Sequence, residues 1–221
     1  MRWHVAGAIA VLGLSGILAG GCRDPSKDLE SGDPAKRFEA IRALAREDSD
    51  AAAEKICEAV NTRDLMTAQT AVRSLGQMKA PRAQSALKEI AKREPRRDVR
   101  QEAVTALGYR HDESSPEILR QLLQTDPDPQ VRGAAATALG RVGNPGDIPL
   151  MVDVMLADED VLVQGRAVGA IERFVGVRFM FDETAPPQER RKRLEEIQAE
   201  AFRMLNWMKG AKAHEQGRTN P

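Results

Sequence analysis

The apolar positions of the chain repeat with a period of about 32 residues from residue 33 onward. Each copy can be aligned on one aliphatic anchor, and the anchors are Leu44, Leu75, Leu107, Leu139 and Ile171. Their spacings are 31, 32, 32 and 32 residues. Every copy has alanine four positions before the anchor and a small residue one position before it, as at Ala135 and Ala138. This register predicts five copies of one structural unit over 33–176.

Each copy contains two apolar stripes at helical spacing, which predict two helices. Val131, Ala135 and Leu139 illustrate the first stripe, whose small residues let a neighbouring helix approach closely. The second stripe begins 12 residues after the anchor, at Ile56, Leu87, Leu119 and Met151. Three copies have glycine directly after the anchor, at Gly76, Gly108 and Gly140. We interpret this glycine as a left-handed residue that ends the first helix.

The best-formed copy starts with the sequence DPQVRGAAATALG at residues 128–140, which resembles the short HEAT-like repeats of bacteria. The resemblance implies an all-α fold: a right-handed α-solenoid of about five two-helix HEAT-like repeats with a C-terminal capping helix. It also implies binding to other macromolecules, which we expect on a concave face formed mainly by the second helices. Two copies depart from the pattern, with Thr67 and Ala68 where Val-Arg is usual and with Gln164 where Arg is usual.

The fifth copy departs from the repeat pattern after residue 176. Three of the five phenylalanines lie within residues 174–181, and residues 177–186 show no second apolar stripe where one is due. We expect an extended segment there, followed by a capping helix over about 187–209 with Leu194, Ile197 and Leu205 on one face. The polar tail 210–221 is predicted to be disordered.

The first 21 residues have the three parts of an export signal: a basic start, an uncharged apolar run over 5–19 and small residues before Cys22. The stretch LAGGC resembles the lipobox of bacterial lipoproteins, with Ala19 at the position where leucine is usual. This resemblance implies cleavage after residue 21 and lipidation of Cys22. An ordinary secretory signal with a chance cysteine and an uncleaved membrane anchor are the alternatives.

A lipid on Cys22 would place the protein in the cell envelope, on the periplasmic or extracytoplasmic side of a membrane. Arg23 follows the cysteine, whereas an aspartate there retains lipoproteins in the inner membrane of enteric-type bacteria, so the outer membrane is favoured. Residues 22–32 are interpreted as a tether, with a reach of about 35 Å when extended.

Lysine plus arginine and aspartate plus glutamate number 33 each, so no global field favours nucleic acid. The chain has three histidines, and of these only His111 lies inside the repeats, beside Asp112 and Glu113. No catalytic or metal-binding pattern stands out, and we predict a protein that is not an enzyme and has no cofactor. An accessory enzyme or a chromophore- or metal-handling HEAT-like protein is the alternative. Cys57 is expected to be a buried, unreactive thiol, with an intermolecular disulfide or a reactive thiol as alternatives.

Two stretches are candidates for binding a protein partner. Residues 92–100 carry five positive and two negative charges, and Lys92, Arg93, Arg96 and Arg97 could meet an acidic partner or lipid head groups. The alternative is a solvated loop in which Arg100 serves the fold. Residues 148–156 are nearly all apolar, and Met151 and Met155 either face a partner or are buried beneath the C-terminal cap. The predicted function is a membrane-anchored, non-catalytic scaffold for a protein partner of unknown identity.

Overall fold

The computed structural model describes residues 24–110 and 112–219, with side chains described as far as residue 211. This part of the chain contains ten α-helices, two short 3-10 helices at Pro25–Asp28 and Pro145–Asp147, and no strand. The helices are α1 (Pro34–Glu47), α2 (Asp50–Val60), α3 (Leu65–Gln77), α4 (Pro81–Arg93), α5 (Arg97–Leu107), α6 (Ser115–Thr125), α7 (Pro129–Val142), α8 (Ile148–Ala157), α9 (Val161–Val175) and α10 (Pro187–Thr219). The predicted all-α solenoid is confirmed.

Aspartate starts most of the first helices of the repeats, which are α1, α3, α5, α7 and α9. Asp33, Asp128 and Asp160 each accept a hydrogen bond from the amide two residues later, at 2.9 Å in all three cases. Such a side chain satisfies an amide that the helix itself leaves unpaired. In α1 and α7 proline follows directly, where its missing N–H costs nothing. The same local signal therefore sets where successive repeats begin.

The predicted anchors form the centre of one continuous core. All five anchors, from Leu44 to Ile171, have no exposed surface. The alanines four positions earlier are also buried, and the second helices add Ile56, Leu87, Leu119 and Met151 from the other side. Because each layer is apolar on both of its faces, stacked repeats bury surface that no single repeat could bury alone.

The glycine after the anchor has a role that the sequence reading did not identify. Gly76 and Gly140 lie inside helices, and Gly108 at the end of α5 has a φ of −69°, so the predicted left-handed helix end is wrong. A Cβ on Gly108 would lie 2.5 Å from the Cβ of Ala138. Cβ atoms on Gly76 and Gly140 would lie 2.9 and 3.0 Å from Ala106 and Ala170. Because glycine has no side chain, the first helix of the next repeat can pack closely against this position.

First helices of neighbouring repeats contact each other along the whole stack, whereas α4, α6 and α8 approach one another much less. A stack with one closely spaced layer and one loosely spaced layer curves toward the close layer. The first helices therefore line the inner side of the solenoid. This corrects the expectation that the second helices form the concave face, and the glycine contacts are the physical reason.

The C-terminal helix α10 completes the fifth repeat. After Gly176, which has a φ of 71° and ends α9, the segment 177–186 crosses the last repeat and buries Phe179. Helix α10 then packs on α8 and α9 through Leu194, Ile197, Ala201 and Leu205. It thus takes the place of the missing second helix, displaced along the sequence by the inserted segment.

Both ends of the chain differ from the expected domain bounds. Helix α10 continues to Thr219, ten residues beyond the expected limit, because the stretch after Gly210 is rich in helix-favouring residues and lacks proline before Pro221. At the other end, Pro25–Asp28 forms a 3-10 turn that contacts α1, and Leu29 packs against the core. Arg37 also donates a 2.6 Å hydrogen bond to the carbonyl of Ser31. Residues 24–32 are therefore part of the first repeat and not an extended tether.

Replacing Gly108 by alanine should lower the free energy of unfolding by about 1–3 kcal/mol, because the added methyl group would force α5 and α7 apart. Gly169 is the matched control, since a Cβ there meets no atom within 4 Å. Gly169→Ala should stabilise the helix by roughly 0.5–1 kcal/mol. Urea unfolding followed by circular dichroism measures both effects, and equal stability of the two variants would contradict the close-contact role of Gly108.

Candidate functional site

Part of the predicted site lies outside the described residues. The predicted signal peptide 1–21, the lipidation candidate Cys22 and the histidine His111 all fall there. Among the helices that are described, none is long and apolar enough to cross a membrane. The part of the candidate site that the structure describes is therefore the surface of the repeats.

A ladder of arginine–carboxylate pairs joins the repeats at the loops before the first helices. Arg100 binds both carboxylate oxygens of buried Asp126 at 3.0 Å, and Arg132 binds those of Asp158 at 2.7 and 2.9 Å. Burial by itself would raise the pKa of Asp158, but hydrogen bonds from Arg132 and from the Asp160 amide outweigh it and lower that pKa below its usual value. Each arginine also donates to the carbonyl six residues before it, so it ties two loops together.

Arg96 takes over this role where the ladder lacks its arginine. Ala68 stands at the ladder position of the second repeat, so neither the carbonyl of Thr62 nor the carboxylate of Glu94 can receive a local guanidinium. Arg96 reaches back and donates to the Thr62 carbonyl at 2.7 Å, to the Val60 carbonyl at 2.6 Å and to Glu94 at 2.6 Å. Arg96 is therefore held within the fold and is not free for a partner.

The other members of the predicted basic segment point to solvent. Lys92 and Arg93 at the end of α4 are exposed and form no ion pair with another described residue. Arg97 is exposed and lies 3.6 Å from Asp98 and 3.5 Å from Asp128. The four basic residues do not form one surface, because Arg96 turns inward while its neighbours turn outward.

Met151 and Met155 are unavailable to a partner. Both side chains have no exposed surface, and α8 is covered by α9 and α10. The prediction that these methionines contact a partner is wrong, and the alternative of burial beneath the C-terminal helix is the observed arrangement. The cause is the apolar face of α10, which needs an apolar partner and finds it in α8.

Sequence reasoning missed a second surface, which is formed by the outward positions of the first helices. We call it the first-helix face, and it consists of the residues two after, two before, five before and six before each anchor. It carries six arginines and two glutamates, which are Arg42, Arg46, Arg73, Arg141, Arg166, Arg173, Glu39 and Glu102. The repeat register could have revealed this surface, because these four positions recur in every copy, and all of them except Gly133 are exposed or half-buried.

The first-helix face contains two adjoining clefts over α7 and α9. Their volumes are about 230 and 190 Å³, and they share Thr137, Leu162 and Arg166. Glycine lines both clefts, at Gly133 in one and at Gly165 and Gly169 in the other. Arginine lines both as well, so both clefts have a cationic rim. An anionic group could be bound there by guanidinium groups from two helices.

Other candidate chemistry is sparse in the described residues. No group of three or more histidine, cysteine, aspartate or glutamate side chains among them could hold a metal ion. Cys57 is half-buried and free, and burial raises the pKa of its thiol to about 11. A thiol with that pKa is almost entirely protonated at neutral pH, and a protonated thiol is a weak nucleophile.

Replacing Arg96 by alanine should lower the free energy of unfolding by about 1–3 kcal/mol, because two backbone carbonyls and the Glu94 carboxylate lose the guanidinium that donates to them. Arg97→Ala removes the same side chain one position later and should change stability by less than about 0.5 kcal/mol. The midpoint of urea unfolding measures both. If the two variants were equally stable, Arg96 would not replace the missing ladder arginine.

A family model described as HEAT repeats matches the chain over residues 27–108 and 87–172. No curated protein matches it significantly. Among solved structures, the complex of CpcE and CpcF of phycocyanin lyase from Nostoc sp. PCC7120 is 23% identical with a TM-score of 0.51, and the match covers 79% of this chain and 71% of that one.

The E. coli protein YibA is similar to the same degree, at 21% identity and a TM-score of 0.51, with 86% of this chain and 72% of that chain covered. A designed armadillo repeat protein is 16% identical with a TM-score of 0.44, covering 81% of this chain and 99% of that one. At these identities the structural likeness concerns the fold alone. The two overlapping family matches span more than half of the sequence, and the chain belongs to the family of HEAT-repeat proteins.

Proposed function

We propose that the protein is a non-catalytic interaction scaffold of the bacterial cell envelope, anchored by a lipid on Cys22, which binds a protein partner through the solenoid surface. The observation that carries the scaffold proposal is the first-helix face, on which the first helices of all five repeats present side chains to one side of the stack. Solenoids commonly use such continuous inner surfaces to bind other macromolecules.

The use of the buried polar groups supports a non-catalytic role. Asp126 is bound by Arg100, and Asp147 is bound by Arg120 and by the Asn144 amide. Buried Ser115 donates to Asp112 at 2.6 Å. Each of these groups satisfies a contact that the stack needs, as buried polar groups in folded proteins generally do. Reactive groups of an enzyme would be expected to point into a cleft with some hydrogen-bonding capacity left over.

The lipid anchor is supported by the sequence before residue 24. A short basic start, an apolar run too rich in glycine for a good membrane span, and small residues directly before Cys22 together favour lipidation. Two or three acyl chains hold a protein stably at a bilayer where a single chain binds only marginally. We place the protein on the extracytoplasmic side, with the outer membrane favoured by Arg23.

Replacing Cys22 by alanine should abolish lipidation and release the protein from the membrane fraction. Mass spectrometry of the N-terminal peptide should show acyl chains on the natural protein and none on Cys22→Ala. Cys57→Ala is the matched control and should keep both the lipid and the membrane fractionation, because Cys57 packs within the repeats. Complete membrane retention of Cys22→Ala without a lipid would contradict the anchor.

A photo-crosslinking residue on the first-helix face should capture the partner in native membranes. Position Gln77 on α3 is exposed on that face, and position Glu117 on α6 is a matched exposed site among the second helices. We expect one protein adduct at position 77. The yield of this adduct at position 117 should be at least about fivefold lower, because a partner on the inner surface does not contact the second helices there. Equal yields, or a purified chain that carries a pigment or metal and no adduct, would contradict the scaffold.

A further inference from the structure

The arginines of the two clefts are unlike most other arginines of the described chain. Arg100, Arg120 and Arg132 are held by carboxylates, whereas Arg141, Arg166 and Arg173 form no ion pair or hydrogen bond with any described residue. The guanidinium carbon of Arg141 lies 4.3 Å from the centre of the Tyr109 ring, which orients the group without neutralising it. Three positive charges on adjacent helices are thus left without a direct ion-pair partner among the described residues.

The floor of one cleft allows a chain to approach the helix backbone at Gly169, whereas Gly133 in the other cleft is covered by the side chain of Leu162. A Cβ on Gly169 would meet no atom within 4 Å, so the space above it is open. At Gly165 the corresponding space is taken by the carboxylate of Glu183, which belongs to the segment between α9 and α10. Glu183 also lines the cleft that Arg166 and Arg173 border. An irregular segment of the protein itself therefore already places one carboxylate in this cationic cleft.

We propose that the arginine–glycine clefts of α7 and α9 bind the carboxylate side chains of an acidic, extended segment of a protein partner. This inference rests on the proposed scaffold function and names the chemistry of its partner. Arginine suits the task because its planar guanidinium can bind both oxygens of a carboxylate. The formal net charge of the chain is zero, so the attraction comes from this local excess of arginine and not from a global field.

The spacing and shape of the face favour a peptide over a lipid surface. Packed helices lie about 8–10 Å apart, and an extended chain covers this distance in roughly three residues. Acidic residues three apart could therefore reach successive helices. A planar layer of anionic head groups could not follow the inner side of a curved stack and would meet only its rims.

The probe is a fluorescein-labelled peptide that repeats Glu-Gly-Ser four times, tested by anisotropy against the full chain purified from membranes in detergent. Combined Arg141→Gln, Arg166→Gln and Arg173→Gln should weaken binding about tenfold or more. The control removes three exposed charges elsewhere, at Arg63, Lys92 and Arg93, and should change binding less than about twofold. A Lys-Gly-Ser peptide should not bind.

A second variant acts in the opposite direction. Glu183→Gln removes the chain's own negative charge from the cleft, so the acidic peptide should bind about threefold more tightly. If Glu183 served the fold alone, its replacement would leave the affinity unchanged or reduce it. Thermal unfolding of every variant checks that the repeats remain folded.

Three results would overturn the inference. The first is equal affinity of the natural protein and the triple arginine variant for the acidic peptide. The second is a loss of affinity in the control triple variant and none in the cleft variant. The third is that micelles doped with phosphatidylglycerol compete for binding as strongly as the unlabelled peptide does. The crosslinker at position 77 separates the two proposals. An adduct that survives the loss of the three cleft arginines would refute the acidic-segment inference and keep the scaffold, whereas no adduct in any variant would refute the scaffold.

Discussion

The architecture depends on the contact between the glycine that follows three of the five anchors and an alanine of the next first helix. Gly108 and Ala138 approach so closely that even one methyl group between them would not fit. Repetition of this contact along the stack sets a short spacing on one side, while the second helices α4, α6 and α8 lie farther apart on the other. The curvature follows from this difference, and the curvature decides which side chains face inward.

Much of the fold could be predicted from the sequence because its main determinant is periodic. The anchors, the alanines and the second stripe occupy the core as the pattern indicates. The glycine was misread because a helix end and a close contact favour the same residue type. Met151 and Met155 could be read two ways, since an apolar helix does not reveal what covers it. The covering element, α10, lies about 40 residues away along the chain.

The charged residues show why the candidate site was harder to predict than the fold. Arg96 and Arg97 are adjacent and chemically identical, yet Arg96 is bound by backbone carbonyls and Arg97 is exposed. The difference comes from Ala68, a departure in a different repeat whose consequence appears only in three dimensions. A run of positive charge therefore says little about binding until its structural partners are known. The unpaired arginines of α7 and α9 are separated in sequence and meet only because the repeats stack.

The 3-10 turn Pro25–Asp28 bears on how the protein would stand at a membrane. It packs on α1, and Asp24 lies 3.5 Å from Lys55 of α2, so the described chain contacts the first repeat from its first residue. If Cys22 carries a lipid, a single residue, Arg23, separates the lipid from that contact. The first repeat would then rest at the bilayer, and the clefts of α7 and α9 would stand roughly 30 Å away along the stack. The solenoid would then present its cationic clefts beyond the head groups, at a distance from the bilayer set by the number of repeats.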